Sequence, residues 1–325
     1  MTRRFALVAN PRAGKGRAPE LAGDLARVLA AGGHDVRTET TAAPGDGARI
    51  AYFRAFECDA IVALGGDGTL HEVANGVARA AAEAGDPGRV AAVGVVPFGG
   101  GNDYIKALCA RRPTVIAALQ GLRAGPRRRV DLLRARRTGP ASPTGHGPGP
   151  APAAAEEYAI NQVQVGYGGA VTEGVEAVRR FLHGQAAYTV SGLLALASHE
   201  VPEYRLVLDG ARAVAGRFLE IHVANGPFCG GGASFTPQAR LDDGLLDLCL
   251  VEARSFARNF RTLLPLLGPG LKPRDGVRME RARRVRIDTD VEFTFVLDGE
   301  VRKASAAERL DVEVAPAALD VLVPV

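Results

Sequence analysis

One stretch, Asp59-Ala-Ile-Val-Ala-Leu-Gly-Gly-Asp-Gly-Thr-Leu-His-Glu-Val-Ala-Asn-Gly-Val77, restricts the fold more than any other. Residues 60–64 are almost wholly apolar, as in a strand buried on both faces of a parallel sheet, and Gly65-Gly66-Asp67-Gly68-Thr69 interrupts the run. Leu70, Val73, Ala74 and Val77 then recur at helical steps, with Thr69 placed to cap the helix and Glu72 three residues later. A strand, a glycine turn and a helix N-terminus form an anion site, because unpaired main-chain N–H groups converge where no side chain blocks the approach. Asp67 would repel a phosphate there unless a magnesium ion stands between them, or unless the carboxylate handles a proton or water beside a reacting phosphoryl group. The plainer alternative is a left-handed turn closed by glycines, with the aspartate as a cap.

The same alternation recurs on either side. Phe5 to Ala9 reads as a strand ending in Asn10-Pro11-Arg12-Ala13-Gly14-Lys15-Gly16. Gly14-Lys15 is not a P-loop, since Ala9 and Gly16 stand where that motif needs Gly and Ser or Thr. Residues 18–32 have helical spacing and stop at Gly32-Gly33; a strand from His34 leads to Thr41-Ala-Ala-Pro-Gly45-Asp46 and a helix to about Phe56. Val90 to Pro97 is a further strand, ending in Phe98-Gly99-Gly100-Gly101-Asn102-Asp103-Tyr104. Strand and helix alternate through residue 120, which predicts a doubly wound parallel sheet with its glycine turns at the carboxyl ends of the strands.

At 325 residues the chain calls for two domains. Residues 138–155 are low in complexity and predict a flexible loop between strands at Arg129 to Ala135 and Tyr158 to Val165. Strands are expected at 203–209, 217–225, 245–252, 284–288, 291–297 and 310–314, interrupted by one helical section from about Val171 to Ser198. Cys58, Cys109, Cys229 and Cys249 have neither metal spacing nor a paired framework, so buried free thiols in a reducing cytosol are expected. No secretory signal is read at the N-terminus, and no apolar run reaches eighteen residues. The formal charge of +4 permits anionic partners. Few aromatics and no recognised binding module argue against nucleic acid. Lys106, Arg111, Arg112, Arg123, Arg127, Arg128, Arg129, Arg134, Arg136 and Arg137 have few acidic residues near them in sequence; they form a solvated face or a surface for anionic headgroups.

Gly65-Gly66-Asp67-Gly68-Thr69 resembles the motif of the diacylglycerol, sphingosine and ceramide kinase superfamily, especially its bacterial soluble lipid kinases; NAD kinases and phosphofructokinases carry a related one. Further resemblances follow in family order. They are Asn10-Pro-x-x-Gly-x-Gly, Thr41, Gly99-Gly100-Gly101-Asn102-Asp103, Asn225-Gly226, Pro237-Gln-Ala-Arg-Leu-Asp242-Asp243-Gly244-Leu245-Leu246-Asp247 and Asp298-Gly299-Glu300. Gly100 departs from the family's threonine. The resemblance implies an α/β, NAD kinase-like nucleotide domain at 1–127, to which 318–325 would return, and a β-rich, sandwich-like lipid-substrate domain at 128–317. It implies an ATP-dependent lipid kinase, diacylglycerol being favoured over a sphingoid or other long-chain alcohol. Glu300 would be the base, with Asp67, Asp103 and Asp243 forming the carboxylate network around Mg²⁺. Asn10, Thr41, Gly66, Gly68, Thr69, Glu72 and Asn102 would face the nucleotide. A second, structural Mg²⁺ would take the Asp243 carboxylate and the carbonyls of Arg240 and Leu245. Leu182, Ala186, Ala187, Val190, Leu193, Leu194 and Leu196 form either core or a groove for acyl chains. The expected protein is cytoplasmic and peripherally membrane-associated, and compatible with a homodimer. A soluble NAD kinase-type enzyme and a non-catalytic nucleotide- or lipid-binding relative are the alternatives.

Overall fold

The computed structural model describes residues 2–109, 114–139, 156–178, 182 and 185–324. Residues 140–155 of the expected loop, with Arg111 and Arg112, lie outside them. The chain divides into two compact units: one of Met1–Leu132, Leu241–Asp243 and Ala315–Val325, the other of Leu133–Arg240 and Gly244–Val314.

The first unit is built from β1 (Arg4–Ala9), α1 (Ala18–Ala31), β2 (Asp35–Thr40), α2 (Asp46–Arg54), β3 (Ala60–Gly65), α3 (Asp67–Ala84), β4 (Ala92–Pro97), α4 (Asp103–Leu108) and α5 (Val115–Ala124). The strands pair in parallel in the order β2-β1-β3-β4, and Val321 and Leu322 of the chain's last strand add to β4. Every residue of β3 is buried, as its unbroken apolar run requires. Phe5, Leu7, Val62, Leu64 and Val96 pack with Ala22, Leu25 and Leu29 of α1 and Leu122 of α5. Helix α3 lies against α2 at Gly76, where any Cβ would stand 2.2 Å from the Ala48 carbonyl oxygen.

The second unit is antiparallel. Its elements are β5 (Arg127–Thr138, which begins in the first unit), β6 (Glu156–Ala159), β7 (Gln162–Gly166), α6 (Tyr167–Val178), α7 (Gln185–Ser198), β8 (Glu203–Leu208), β9 (Arg212–Ala224) and β10 (Leu246–Glu252). There follow α8 (Phe256–Leu263), β11 (Val277–Ala282), β12 (Arg284–Asp288), β13 (Phe293–Leu297), β14 (Glu300–Ala304) and β15 (Arg309–Leu322). One sheet runs β14-β13-β7-β9-β10-β11. β9 also pairs through Arg212–Arg217 with β8, which continues to β12 and β15. Val163, Val165, Leu206, Ile221, Leu248, Val285, Phe295 and Leu310 fill the space between these layers. A second cluster, with Leu196, Leu219, Phe235, Cys249, Val251 and Leu263, packs α7 and α8 on the first sheet.

Three expectations change. The helical section divides into α6 and α7, and α8 and β11 occupy a region read as free of them; Phe256, Phe260, Leu263, Leu264 and Leu267 had the helical spacing to disclose α8. Thr69 is not the cap of α3: the helix begins at Asp67, with extended Gly66 at the N-cap and no side chain capping it. Of the cysteines, only Cys229 and Cys249 are buried.

Candidate functional site

Four loops of the first unit leave the carboxyl ends of β1 to β4. After β1, the Asn10 amide donates to Thr69 Oγ1 (3.4 Å) and accepts the Arg12 N–H (3.0 Å), joining this loop to the one after β3. Gly14 has φ +58°, and any Cβ on it would lie 2.0 Å from the Phe98 ring, so the loops after β1 and β4 meet only through glycine. After β2, buried Thr41 donates its N–H to the Ala9 carbonyl (3.0 Å). The next turn is held by carboxylates. Asp46 accepts from Ala42 and Ala43, bonds that hold its carboxyl below the usual range, and Glu72 of α3 accepts from Gly45 and Gly47, both at 2.8 Å.

After β3, the uncapped start of α3 carries Asp67, whose Oδ1 accepts the Asp103 N–H at 3.0 Å. Gly65 lies under Thr69, whose Oγ1 would be 2.2 Å from an added Cβ, and Gly99 lies against the Gly66 Cα at 2.4 Å in the same sense. After β4, Asn102 adopts the left-handed conformation (φ 53°) and brackets Gly99, accepting its N–H (3.1 Å) and donating to its carbonyl (2.7 Å). Asp103 is buried, with Lys106 Nζ 3.1 Å from its carboxylate. A Cβ on Gly100 would meet nothing within 4 Å.

The Asp-Asp-Gly loop is shared between the units, Leu241–Asp243 belonging to the first. There the Leu241 carbonyl accepts the Asp131 N–H (2.7 Å) and Asp242 pairs with Arg128 (2.9 Å). Arg240 and Leu245 belong to the second unit, as does Glu300. Glu300 opens β14 after the tight turn Asp298-Gly299; its side chain is half exposed, with Arg302 at 3.9 Å. Asp298 is an anchor: its carboxylate accepts the N–H groups of Ile160 (2.7 Å), Asn161 (2.9 Å) and Gln162 (2.9 Å). Asn225 fastens the same bend, donating from its amide to the Ile160 carbonyl (2.9 Å).

The second unit also holds a cavity of about 240 Å³ between α6, α7 and α8, lined mainly by Val171, Leu193, Leu196, Phe235, Phe260 and Leu263. Gln164, Tyr167 and Gly168 line its polar side. Beneath them Glu220 is fully buried and accepts the Gly168 N–H at 2.8 Å, at the start of α6. His222 stacks on Phe235 (4.6 Å) and meets the Gln164 amide at 3.3 Å. Burial, then the Glu220 charge, pushes the Tyr167 hydroxyl and the Cys249 thiol up to about 12. Glu220, His222 and Gln164 were not singled out from the sequence; polar residues alternating inside apolar strands were the available signal.

Residues 4–135 match the diacylglycerol kinase catalytic domain, and residues 161–323 match the YegS C-terminal NAD kinase beta sandwich-like domain. The chain belongs to the bacterial diacylglycerol kinase and YegS-like lipid kinase family. It is 30% identical over 285 residues to a Chromohalobacter salexigens protein named "Probable lipid kinase YegS-like", covering 87% of this chain and 82% of that one. It is 26% identical to a diacylglycerol kinase of Bacillus subtilis, covering 92% and 90%. A solved diacylglycerol kinase from Bacillus anthracis has the same fold, with a TM-score of 0.69 at 19% identity over 98% of this chain and 96% of that one. Yeast NADH kinase shares the fold more distantly, with a TM-score of 0.51 at 11% identity over 99% and 83%.

In this lipid kinase family member the arginines of β5, which have few acidic neighbours in sequence, have acidic neighbours in space. Arg128 pairs with Asp242, Arg129 with Asp320 (3.1 Å), Arg134 with Glu313, Arg136 with Glu156 (3.2 Å) and Arg137 with Glu308 (3.8 Å). Asp67, Asp103 and Asp243 offer carboxylate oxygens, the donor type Mg²⁺ takes, although among the described residues no three acidic, histidine or cysteine side chains gather as a ready metal site. Among the described residues no helix is long and apolar enough to cross a membrane.

Proposed function

We propose that the protein transfers the γ-phosphate of ATP to the hydroxyl of a lipid, with diacylglycerol as the favoured acceptor and a sphingoid or other long-chain alcohol behind it. The observation that carries a lipid acceptor, rather than the soluble one of an NAD kinase-type enzyme, is the apolar cavity between α6, α7 and α8. It would take an acyl chain.

The glycine loops after β1, β3 and β4, with Asn10, Thr41, Gly66, Gly68, Thr69 and Asn102, would cradle the nucleotide through main-chain N–H groups. Glu72 acts through Gly45 and Gly47 and is a positioning residue in this reading. Mg²⁺, held by Asp67, Asp103 and Asp243 directly or through water, would neutralise phosphate charge; the Arg240 and Leu245 carbonyls with Asp243 would hold a structural Mg²⁺. Glu300 would take the hydroxyl proton as the acceptor oxygen bonds to the γ-phosphorus and the bond to the departing ADP breaks. Contact with the bilayer is peripheral.

Transfer of labelled γ-phosphate from ATP, with Mg²⁺, to diacylglycerols, monoacylglycerols, sphingoid bases, ceramide and NAD in mixed micelles tests the reading. Labelled lipid is expected. Label on NAD alone, or no label on any acceptor, would overturn it.

A further inference from the structure

We propose that the inner end of the apolar cavity is a hydroxyl-binding subsite. Gln164 and Tyr167 would hold there a hydroxyl of the bound lipid other than the one that receives phosphate, which makes Gln164 a specificity-determining residue. The proposal rests on the reading of this cavity as the lipid site. The cavity is apolar at its mouth and polar at its floor. Its exposed rim is Leu193 of α7 with Phe260, Leu264 and Leu267, which continue an apolar stripe of α8 that starts at Phe256. Its floor is the helix-facing side of the first sheet. There Gln164 of β7 pairs with His222 of β9, which pairs with Cys249 of β10, and Glu220 occupies the same face two residues along. Val163, Val165, Ile221 and Leu248 alternate with them and fill the core behind, so these polar residues fall on the cavity side. Two lining glycines bring polar groups to the cavity. A Cβ on Gly168 would lie 2.9 Å from the Gln164 amide, and one on Gly192 would lie 2.7 Å from the Tyr167 hydroxyl.

The two groups complement an alcohol. Gln164 Nε2 lies 3.3 Å from His222 Nδ1; an amide NH₂ only donates, so the ring nitrogen accepts and the amide oxygen is left for an occupant. The Tyr167 hydroxyl, held protonated by burial and by the Glu220 charge, is a donor. A hydroxyl satisfies both, giving its proton to Gln164 and accepting one from Tyr167. A carboxylate only accepts, and a methylene does neither. Glu220 sets the charge of the floor. It is fully buried, its Oε1 has no hydrogen-bond partner, and His222 Nδ1 is 3.8 Å away. Among the described residues no lysine or arginine lies within ion-pair distance of it. A buried carboxylate offset mainly by the N-terminus of α6 disfavours an anionic occupant and leaves a neutral hydroxyl preferred. His222, stacked on Phe235, acts through Gln164 and is a positioning residue. A hydroxyl beside an alkyl chain comes from the middle carbon of a monoacylglycerol or from a hydroxylated acyl chain.

Calorimetric titration of the full chain, without nucleotide, with short-chain lipids below their micelle concentrations tests the subsite. If glycerol supplies the hydroxyl, wild type should bind octanoylglycerol about five- to tenfold more tightly than the octanoyl ester of propanediol, which lacks the middle hydroxyl. If the acyl chain supplies it, the same preference should appear for dioctanoylglycerol with a hydroxyl on one chain over the plain lipid. Octanoate should bind worst. Gln164→Leu and Tyr167→Phe should each remove most of the preference and leave the affinity for the unhydroxylated lipid within about twofold. His222→Leu should reduce the preference without weakening the unhydroxylated lipid, a split that general loosening of the fold would not produce. No preference by wild type in either pair would overturn the proposal, as would a preference that survives both Gln164→Leu and Tyr167→Phe. Transfer of labelled phosphate from ATP to the same lipids separates the two readings. Lipids phosphorylated but bound without preference would sink the subsite and leave the kinase reading; lipids bound with the preference but never phosphorylated would do the reverse.

Discussion

The Asp67 carboxylate accepts the main-chain N–H of Asp103 at 3.0 Å, so the first acidic residue of α3 faces the first turn of α4. Two glycine loops are thereby locked together by a residue whose charge the proposed chemistry also uses. Asp67→Asn keeps an acceptor of the same shape and removes the charge. Phosphate transfer should fall by about 10²-fold or more, while the thermal midpoint, read by circular dichroism, should move little.

Glu72 separates positioning from chemistry. Glu72→Ala deprives Gly45 and Gly47 of their acceptor and should cost about 1–3 kcal/mol in urea unfolding. The loop after β2 would loosen, so KM for ATP should rise with little change in kcat. An unchanged KM would remove this loop from nucleotide binding.

Asp298 and Glu300 stand two residues apart and should fail in different ways. Asp298→Ala strands three N–H groups and should destabilise the second unit by about 2–4 kcal/mol. Glu300→Gln, on a half-exposed side chain, should shift stability by about 0.5 kcal/mol or less and lower kcat by roughly 10²–10⁴.

Gly100→Thr should be tolerated. The site offers open space and no positive φ, so restoring the family's threonine should hold or slightly raise stability, by up to about 1 kcal/mol through a stiffer unfolded chain. A faster rate in the variant would show that the hydroxyl contributes to transfer.

His199, after α7, contributes to the pH dependence, as does His34, whose pKa burial also lowers. Burial lowers the His199 pKa, against smaller opposing effects of Glu220 and Glu173. Between the lowered folded value and the unfolded value of about 6.5 the unfolded chain binds more protons, so stability is complete above that range and declines as pH falls through it. Thermal midpoints measured from pH 8 downward should show the decline in wild type and a shallower one in His199→Gln.

Much of the first unit was legible in the chain because its rules are local. An apolar run, a glycine turn and a helical repeat specify β3, its loop and α3 within nineteen consecutive residues, and Gly65 and Gly76 are demanded by atoms that a Cβ would meet at 2.2 Å. The motifs from Asn10 to Glu300 named the family for the same reason, since each is a short turn with its own chemistry. Tertiary structure decided what depends on partners remote in sequence. The basic run became a set of ion pairs because Asp242, Glu308, Glu313 and Asp320 approach it from later segments, and Asp298 became an anchor because the Ile160–Gln162 bend presents three N–H groups to it. The apolar cavity between α6, α7 and α8 and the apolar stripe of α8 are likewise products of assembly. Sequence periodicity can place leucines and phenylalanines on one face of a helix, but only packing determines which of them the neighbouring helices cover and which they leave exposed.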